Sequence, residues 1–170
     1  MSGPLIMAID PGPRTSGYVL YSVDRREVVA AVKDADIHQV RRCMVYFRDL
    51  NVRLGYPFTV VCERTQAGPP STQVVLTTEV VGRIVEMAHS VASAPCHLYY
   101  RRQVLQALNC ARKGNKDSLV RVACIELHGG DRKTAIGTKK QEGPLYGVTS
   151  HAWQALGLAC AHIIITAQEE

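Results

Sequence analysis

The sequence is poor in the features that mark membrane, fibrous and intrinsically disordered proteins. It contains no apolar run of about 18 residues, so we expect no membrane-spanning segment. Its first nine residues lack a basic region, and we therefore expect no signal peptide. Repeats are absent, and 46% hydrophobic against 21% charged residues excludes a disordered chain, a collagen and a coiled coil. A length of 170 residues predicts one domain, spanning residues 1–170, with its own core.

The six cysteines form no recognisable metal or redox motif. None has a partner at CxxC spacing, and no histidine stands at zinc-finger spacing from a cysteine pair. Most lie inside apolar stretches such as Val60-Val61-Cys62, where a thiol packs as a small hydrophobic group. We therefore expect free thiols in a reducing cytoplasm and no structural zinc.

Positive charge is concentrated in one segment. Residues 95–142 contain ten Lys or Arg against four Asp or Glu, whereas the whole chain carries only +5. A nearly neutral scaffold with one basic segment indicates a polyanionic partner, and nucleic acid is the first candidate. A solvated basic face is the alternative, and charge alone does not separate the two.

The hydrophobic pattern predicts an α/β fold. Short apolar runs predict strands over 4–9, 17–23, 27–32, 58–62 and 95–99. Helical spacing and caps predict helices over 37–54, 72–92, 101–109, 116–128 and 151–166, with Ser150 capping the last and a long basic loop over 131–149. This order predicts a five-stranded mixed sheet with helices on both faces, which is the order of the ribonuclease H-like fold.

Two carboxylates end strands of the predicted sheet. Asp10 ends the first strand, before a Pro-Gly turn, and Glu63 ends the fourth. If these strands are adjacent, both side chains lie beyond the strand ends, where open α/β sheets bind ligands. Neighbouring carboxylates repel unless a proton or cation lies between them, and Mg²⁺ favours such oxygens. A turn-forming Asp10, or a surface Glu63 paired with Arg64, explains either residue alone; the two together favour a metal site.

Six motifs follow one another in a specific order. They are residues 6–18 (IMAIDPGPRTSGY), 60–63 (VVCE), 76–82 (LTTEVVG), Arg102-Gln103-Val104, Lys116 with Val120, and 150–159 (SHAWQALGLA). The ordered set covers nearly the whole chain and resembles the RuvC family of Holliday-junction resolvases. Its divergent loops resemble a phage or prophage version, hence a cytoplasmic protein of a bacterial or phage-infected cell. The first motif alone also resembles sugar-kinase-like ATPases, which leaves an actin-like phosphotransferase as a remote alternative.

The resemblance implies a homodimeric endonuclease that nicks branched DNA with Mg²⁺, for which Mn²⁺ would substitute. It makes Asp10, Glu63 and His151 catalytic metal ligands, and it makes Lys116 a catalytic residue that neutralises charge near the scissile phosphate. Two metal ions about 3.5–4 Å apart would activate water, polarise the phosphoryl group and stabilise the leaving oxygen.

Two positions depart from the family pattern. Gln154 stands where the family has an Asp ligand, so either three ligands suffice or Asp117 replaces it. A helix-capping or helix-dipole role is the competing interpretation of Asp117. Leu105 stands where the family has a second catalytic lysine.

Basic side chains of the late segment are predicted to contact the DNA backbone without reading sequence. They are Arg101, Arg102, Arg112, Lys113, Lys139 and Lys140. Two further functions remain open on the same fold. One is an RNA-processing nuclease, and the other is a junction-binding protein whose catalysis is weakened by Gln154.

Overall fold

In the described part of the chain, five strands form one main sheet, six helices accompany it, and two further short strands form a separate hairpin. The computed structural model describes residues 3–65, 71–110 and 116–169. The elements, in chain order, are β1 (Leu5–Asp10), β2 (Ser16–Ser22), β3 (Glu27–Ala35), α1 (Ile37–Leu54), β4 (Phe58–Arg64), α2 (Thr72–Ser90), β5 (Cys96–Tyr100), α3 (Arg101–Ala107), α4 (Lys116–Leu127), α5 (Arg132–Ala135), β6 (Gly137–Thr138), β7 (Gln141–Glu142) and α6 (Ala152–Thr166).

The main sheet has the strand order β3-β2-β1-β4-β5. β1, β2 and β3 form an antiparallel meander, whereas β4 and β5 continue the sheet parallel to β1. β1 is therefore the central strand, and its near-continuous apolar sequence reflects burial on both faces. The predicted five-stranded mixed sheet is confirmed.

The two faces of the sheet pack against different helices because side chains alternate along each strand. On β1, Ile6 and Ala8 face a core cluster that includes residues of α3, α4 and α6. Met7 and Ile9 face the opposite cluster, which includes residues of α1 and α2. The alternation continues to the strand end, so it places Asp10 on the α6 face of the sheet.

α6 lies in the core, as its apolar sequence predicts. Ten of its residues are buried, among them Trp153. Gly157 lets α4 approach closely, since a Cβ built there would lie 2.3 Å from Cγ1 of Val120. None of the helices in the described ranges is long and apolar enough to cross a membrane.

The prediction of a long loop over residues 131–149 is wrong. The segment contains the one-turn helix α5 and a β6–β7 hairpin with a two-residue turn. Asp131 starts α5 because its side chain accepts the backbone N–H groups of Lys133 and Thr134 at 2.8 and 3.0 Å. Gly137 begins β6 with φ +71°, a conformation that L side chains rarely adopt. Such short elements produce no periodicity that a sequence would reveal.

The helix α6 was predicted within one residue of its observed start, but its predicted N-cap is wrong. Ser150 has φ +46° and does not cap the helix; the N-cap residue is His151, whose side chain makes no capping hydrogen bond. The left-handed Ser150 instead ends the incoming turn, so that His151 stands at the junction between that turn and the helix.

Candidate active site

Asp10 and Glu63 lie beside each other at the end of two adjacent parallel strands. Ile9 of β1 pairs with Cys62 of β4, so the next residue of each strand is the carboxylate. Val61 shares the α6-side core cluster, and by alternation Glu63 points to that same face. The side chains are 22% and 19% exposed. The predicted pairing of two strand-end carboxylates therefore holds.

His151 approaches this pair from the N-terminus of α6. Its Nδ1 lies 3.9 Å from Oδ2 of Asp10, and its side chain is 66% exposed. The approach depends on Gly17, which pairs with Asp10 across β1 and β2. A Cβ built on Gly17 would lie 2.8–2.9 Å from the backbone and Cβ of His151. The structure thus brings three predicted site residues, Asp10, Glu63 and His151, to one end of the sheet.

Arg101 also belongs to this cluster, although the sequence indicated only a DNA-contacting role for it. Its Nη1 lies 3.4 Å from Oε2 of Glu63, and its Nη2 lies 2.7 Å from Oδ1 of Asp117. Arg64 does not take the role considered for it, since its guanidinium stacks 4.5 Å from the centroid of the Tyr100 ring. Within the described part of the chain, the cation paired with Glu63 is therefore Arg101.

Burial makes the side chains of Asp10 and Glu63 weaker acids than solvent-exposed carboxyl groups. It raises the pKa of Asp10 to about 6, with Arg101 opposing the shift and Asp117 adding to it. It raises the pKa of Glu63 to about 7, again opposed by Arg101 and increased by the charge of Asp10. Two partly desolvated carboxylates with one shared cation form a site that gains from further positive charge.

An open cleft of about 760 Å³ lies over Asp10 and His151. Its walls are the turn after β1, which includes Arg14, and the first turns of α2, from which Gln73 and Leu76 contribute. A second cleft, of about 360 Å³, is lined by Asp117, Gln154 and other residues of α4 and α6. Both clefts border the N-terminus of α6, the first through His151 and the second through Ser150 and Gln154.

Gln154 differs from His151 in its surroundings. Its Oε1 is buried and has no hydrogen-bond partner within the described residues, and its side chain lines the second cleft with Asp117. An amide oxygen without a donor is a possible ligand for a cation, though a weaker one than a carboxylate. Asp117 lies in the first turn of α4 and pairs with Arg101.

The remaining predicted residues fall at different places. Lys116 is the first residue of α4, next to Asp117, and Arg102 is exposed on α3. Lys139 and Lys140 form the exposed turn of the β6–β7 hairpin. Arg112 and Lys113 lie outside the described residues.

The hairpin stands away from the carboxylates along the sheet. Pro144, just after it, accepts the backbone N–H of Val28 at 2.8 Å. Val28 pairs with Tyr21, which pairs with Ile6 in β1. Ile6 precedes Asp10 by four residues, or about 13 Å of strand. The hydrogen bond that ties this segment to the sheet is therefore about four residues along the strands from Asp10.

The donor set fits a magnesium ion if water, or water together with substrate oxygens, completes the coordination. No three His, Cys, Asp or Glu side chains of the described ranges lie close enough together to hold an ion. Mg²⁺ commonly takes one or two carboxylates and fills its octahedron with waters and phosphate oxygens. Asp10 and Glu63 supply two carboxylates at this end of the sheet, the number that such an ion commonly takes.

Sequence reasoning missed the acidic-site role of Arg101 and the role of Gly17. A signal for Arg101 exists, because β5 pairs with β4 and α3 begins directly after β5. Tyr99 of β5 pairs with Glu63, and Arg101 follows Tyr99 by two residues. The chain therefore leaves the sheet close to Glu63. Gly17 carries no such signal, because the contact it permits is with a residue far away in sequence.

Two solved structures of RuvC from Thermus thermophilus resemble this chain. A complex with a Holliday junction substrate has a TM-score of 0.61 and 20% sequence identity, over 96% of this chain and 95% of that chain. A second structure has a TM-score of 0.63 and 19% identity, over 97% and 96%. The chain has the RuvC fold. The predicted ribonuclease H-like class is thereby confirmed over nearly the whole length, although no family model and no curated protein matches the sequence.

Proposed function

We propose that this protein is a metal-dependent endonuclease that nicks branched DNA. The observation that carries the proposal is the pair Asp10 and Glu63, adjacent at the ends of parallel strands and on the same face of the sheet. An open cleft of about 760 Å³ lies over Asp10 and gives a polymer access to it. Similarity to a RuvC structure that holds a Holliday junction substrate supports branched DNA as the ligand.

Asp10 and Glu63 would hold Mg²⁺, or Mn²⁺ in its place. A bound ion supplies Lewis-acid polarisation of the phosphoryl group and favours ionisation of the attacking water. The protein's own contribution is to place the two carboxylates directly after the fully buried residues Ile9 and Cys62 on adjacent strands. A second ion, as the family resemblance implies, would need ligands from His151, Gln154 or Asp117.

Proton transfer would fall to His151. Its ring is exposed, borders the cleft, and has Nδ1 3.9 Å from Asp10. An imidazole nitrogen can accept a proton from water or return one to the leaving oxygen. Lys116, at the start of α4, would neutralise charge on the scissile phosphate.

Other basic residues would hold the substrate rather than act on it. Exposed Arg102, Lys139 and Lys140 would contact backbone phosphates without reading bases. A homodimer would present two copies of the site to the two strands that must be cut to resolve a four-way junction. Two-fold symmetry is the commonest arrangement of homo-oligomers and would match that of the junction.

The test is incubation with synthetic four-way junctions, three-way junctions and linear duplexes of the same arms, each with Mg²⁺, Mn²⁺ or EDTA. We expect symmetric nicks in the branched substrates with either metal and none in EDTA. Equal cutting of linear duplex would contradict structure selectivity. Cutting of RNA junctions alone would favour the RNA-processing alternative.

A junction-binding protein with weakened catalysis is the second candidate. Two observations favour it: Arg101 already contacts Glu63, and an uncharged Gln154 stands near the site. This candidate predicts tight four-way junction binding that is indifferent to metal, with no nicks at any Mg²⁺ or Mn²⁺ concentration.

A further inference from the structure

Arg101 connects two carboxylates that come from separate elements. Glu63 is the penultimate residue of β4, Asp117 lies in the first turn of α4, and Arg101 is the first residue of α3, between them in sequence. The Arg101 side chain is 24% exposed, less than a surface arginine would be. Its neighbour Arg102 is exposed, so α3 directs one guanidinium into the acidic site and the other into solvent.

The two contacts of Arg101 are unequal. Nη2 lies at full hydrogen-bond distance from Asp117, 2.7 Å, whereas Nη1 lies 3.4 Å from Glu63. Asp117 is itself 71% exposed, whereas Glu63 is 19% exposed. Arg101 therefore makes its shorter hydrogen bond with the exposed Asp117 and its longer one with the less exposed Glu63, the candidate metal ligand.

We propose that Arg101 is the resident cation of this site: it neutralises Glu63 in the metal-free protein and is displaced from it when a divalent ion binds. Asp117 anchors the guanidinium at the rim during the exchange. Once displaced, the guanidinium points into the substrate region and can bind a phosphate. The binding of a phosphate by Arg101 rests on the proposed nuclease function. The displacement of Arg101 from Glu63 by a divalent ion does not.

The chemistry of the side chain suits this exchange. A guanidinium stays charged at all working pH values and presents several donors in a planar fork that fits a carboxylate or a phosphate. It can therefore leave Glu63 for a phosphate oxygen without losing a proton or an anionic partner. Two cations held at one carboxylate repel each other, so a metal ion and Arg101 compete for Glu63.

The exchange predicts that removing the arginine strengthens metal binding. We would titrate Mn²⁺ into the metal-free full-length protein by calorimetry without DNA, for wild type, Arg101→Gln, Arg101→Lys and Arg102→Gln. Arg102→Gln is the matched control, because it removes the same charge one residue away. Arg101→Gln should bind Mn²⁺ about fivefold more tightly, the equilibrium effect of one partly exposed ion pair. The Mn²⁺ affinity of Arg102→Gln should stay within about twofold of wild type. The affinity of Arg101→Lys should lie between those of wild type and Arg101→Gln.

Thermal melts in EDTA and in Mn²⁺ give a second measurement. Arg101→Gln should melt below wild type in EDTA, because Glu63 and Asp117 lose the ion pairs with Arg101, and it should gain more from Mn²⁺ than wild type does. A purely structural Arg101 predicts the opposite, because a disordered site would bind Mn²⁺ more weakly. If Arg101→Gln fails to fold in EDTA, Arg101→Lys must carry the same direction of change, or the proposal is wrong.

The outcomes separate this inference from the proposed function. Tighter Mn²⁺ binding by Arg101→Gln in a protein that cuts no junction would support the resident cation and reject the nuclease. Junction nicking with unchanged or weaker Mn²⁺ binding by Arg101→Gln would overturn the resident cation and leave the nuclease intact. Absence of Mn²⁺ binding in both wild type and Arg101→Gln would also overturn it.

Discussion

Gly17 provides the space in which His151 meets the sheet. A Cβ on Gly17 would lie 2.8 Å from the carbonyl carbon of His151 and 2.9 Å from its Cβ. Gly17 is also the antiparallel partner of Asp10, so the space left by its lack of a side chain is next to the candidate metal ligand. The distance between His151 and Asp10 therefore depends on a residue that bears no functional group.

Gly17→Ala should push the start of α6 away from Asp10. The overlap is with backbone and Cβ atoms rather than a flexible side-chain end, so we expect a loss of about 1–3 kcal/mol in the free energy of unfolding. The rate of junction nicking should fall by more than the loss of folded protein explains, because His151 moves away from Asp10. Urea denaturation and junction turnover measure the two effects. Gly82→Ala is the control: a Cβ there meets no heavy atom within 4 Å, and α2 should gain about 0.5–1 kcal/mol.

Asp10→Asn and Glu63→Gln should each abolish nicking while leaving junction binding intact or stronger. Each substitution removes a charged ligand, whereas loss of negative charge reduces repulsion of the DNA backbone. Gel-shift affinity and nick counting on one labelled four-way junction provide the measurements. Cleavage by Asp10→Asn at the wild-type rate would disprove the metal-site assignment.

The metal-free protein should show a pH-dependent stability penalty from Asp10. Its folded pKa of about 6 lies above its ordinary value of about 4. The folded state therefore binds more protons in that range, and the contribution of Asp10 to stability falls as pH rises from about 4 to 6. His162, whose pKa burial lowers to about 4, titrates with the opposite sign over an overlapping range.

The effect of Asp10 is therefore best measured as a difference. In EDTA, Asp10→Asn should match wild type near pH 4 and become more stable than wild type by about 1–3 kcal/mol above pH 7. Urea denaturation at a series of pH values measures this difference. A difference that does not vary with pH would show that Asp10 is well solvated.

The residues around α6 should differ in their importance. His151→Ala should lose most of the nicking activity, because His151 borders Asp10. Gln154→Ala should lose little if three ligands suffice. Asp117→Asn should cost modest stability through its pair with Arg101, unless it is a metal ligand, in which case it should be as damaging as Asp10→Asn. Turnover on one four-way junction, with melting temperatures as the folding control, separates these cases.

An inactive but folded Gln154→Ala would reveal chemistry at the buried amide. Gln154→Asp provides the reciprocal test, since a charged ligand should raise Mg²⁺ affinity if the position faces the ion. An unchanged affinity in Gln154→Asp would indicate that this position is not part of the metal site.

Junction affinity should fall steeply with salt, because each phosphate contact releases condensed counterions. Reversing Lys139 and Lys140 to Glu should reduce the slope of log affinity against log salt. Arg41→Glu with Arg42→Glu, an exposed adjacent pair on α1, is the matched control and should leave the slope unchanged. Equal slopes for wild type and the hairpin variant would make the hairpin turn a solvated face.

Much of the fold was predictable because its signals are local. α1 spans the predicted residues 37–54, and the five main strands lie within a few residues of their predicted bounds. Apolar alternation and helical spacing act over a few neighbours, so the sequence carries them directly. The β6–β7 hairpin and the true N-cap of α6 were missed, because both depend on contacts with distant segments.

The sequence by itself determined that Asp10 and Glu63 end apolar strands, and strand order then makes them neighbours. Only the tertiary structure decided that Arg101 contacts Glu63 and that His151 reaches Asp10 across Gly17. A strand pattern is encoded by successive residues with a period of two. The position of a side chain from another element depends instead on how whole helices pack, and that packing is set by the core on both faces of the sheet.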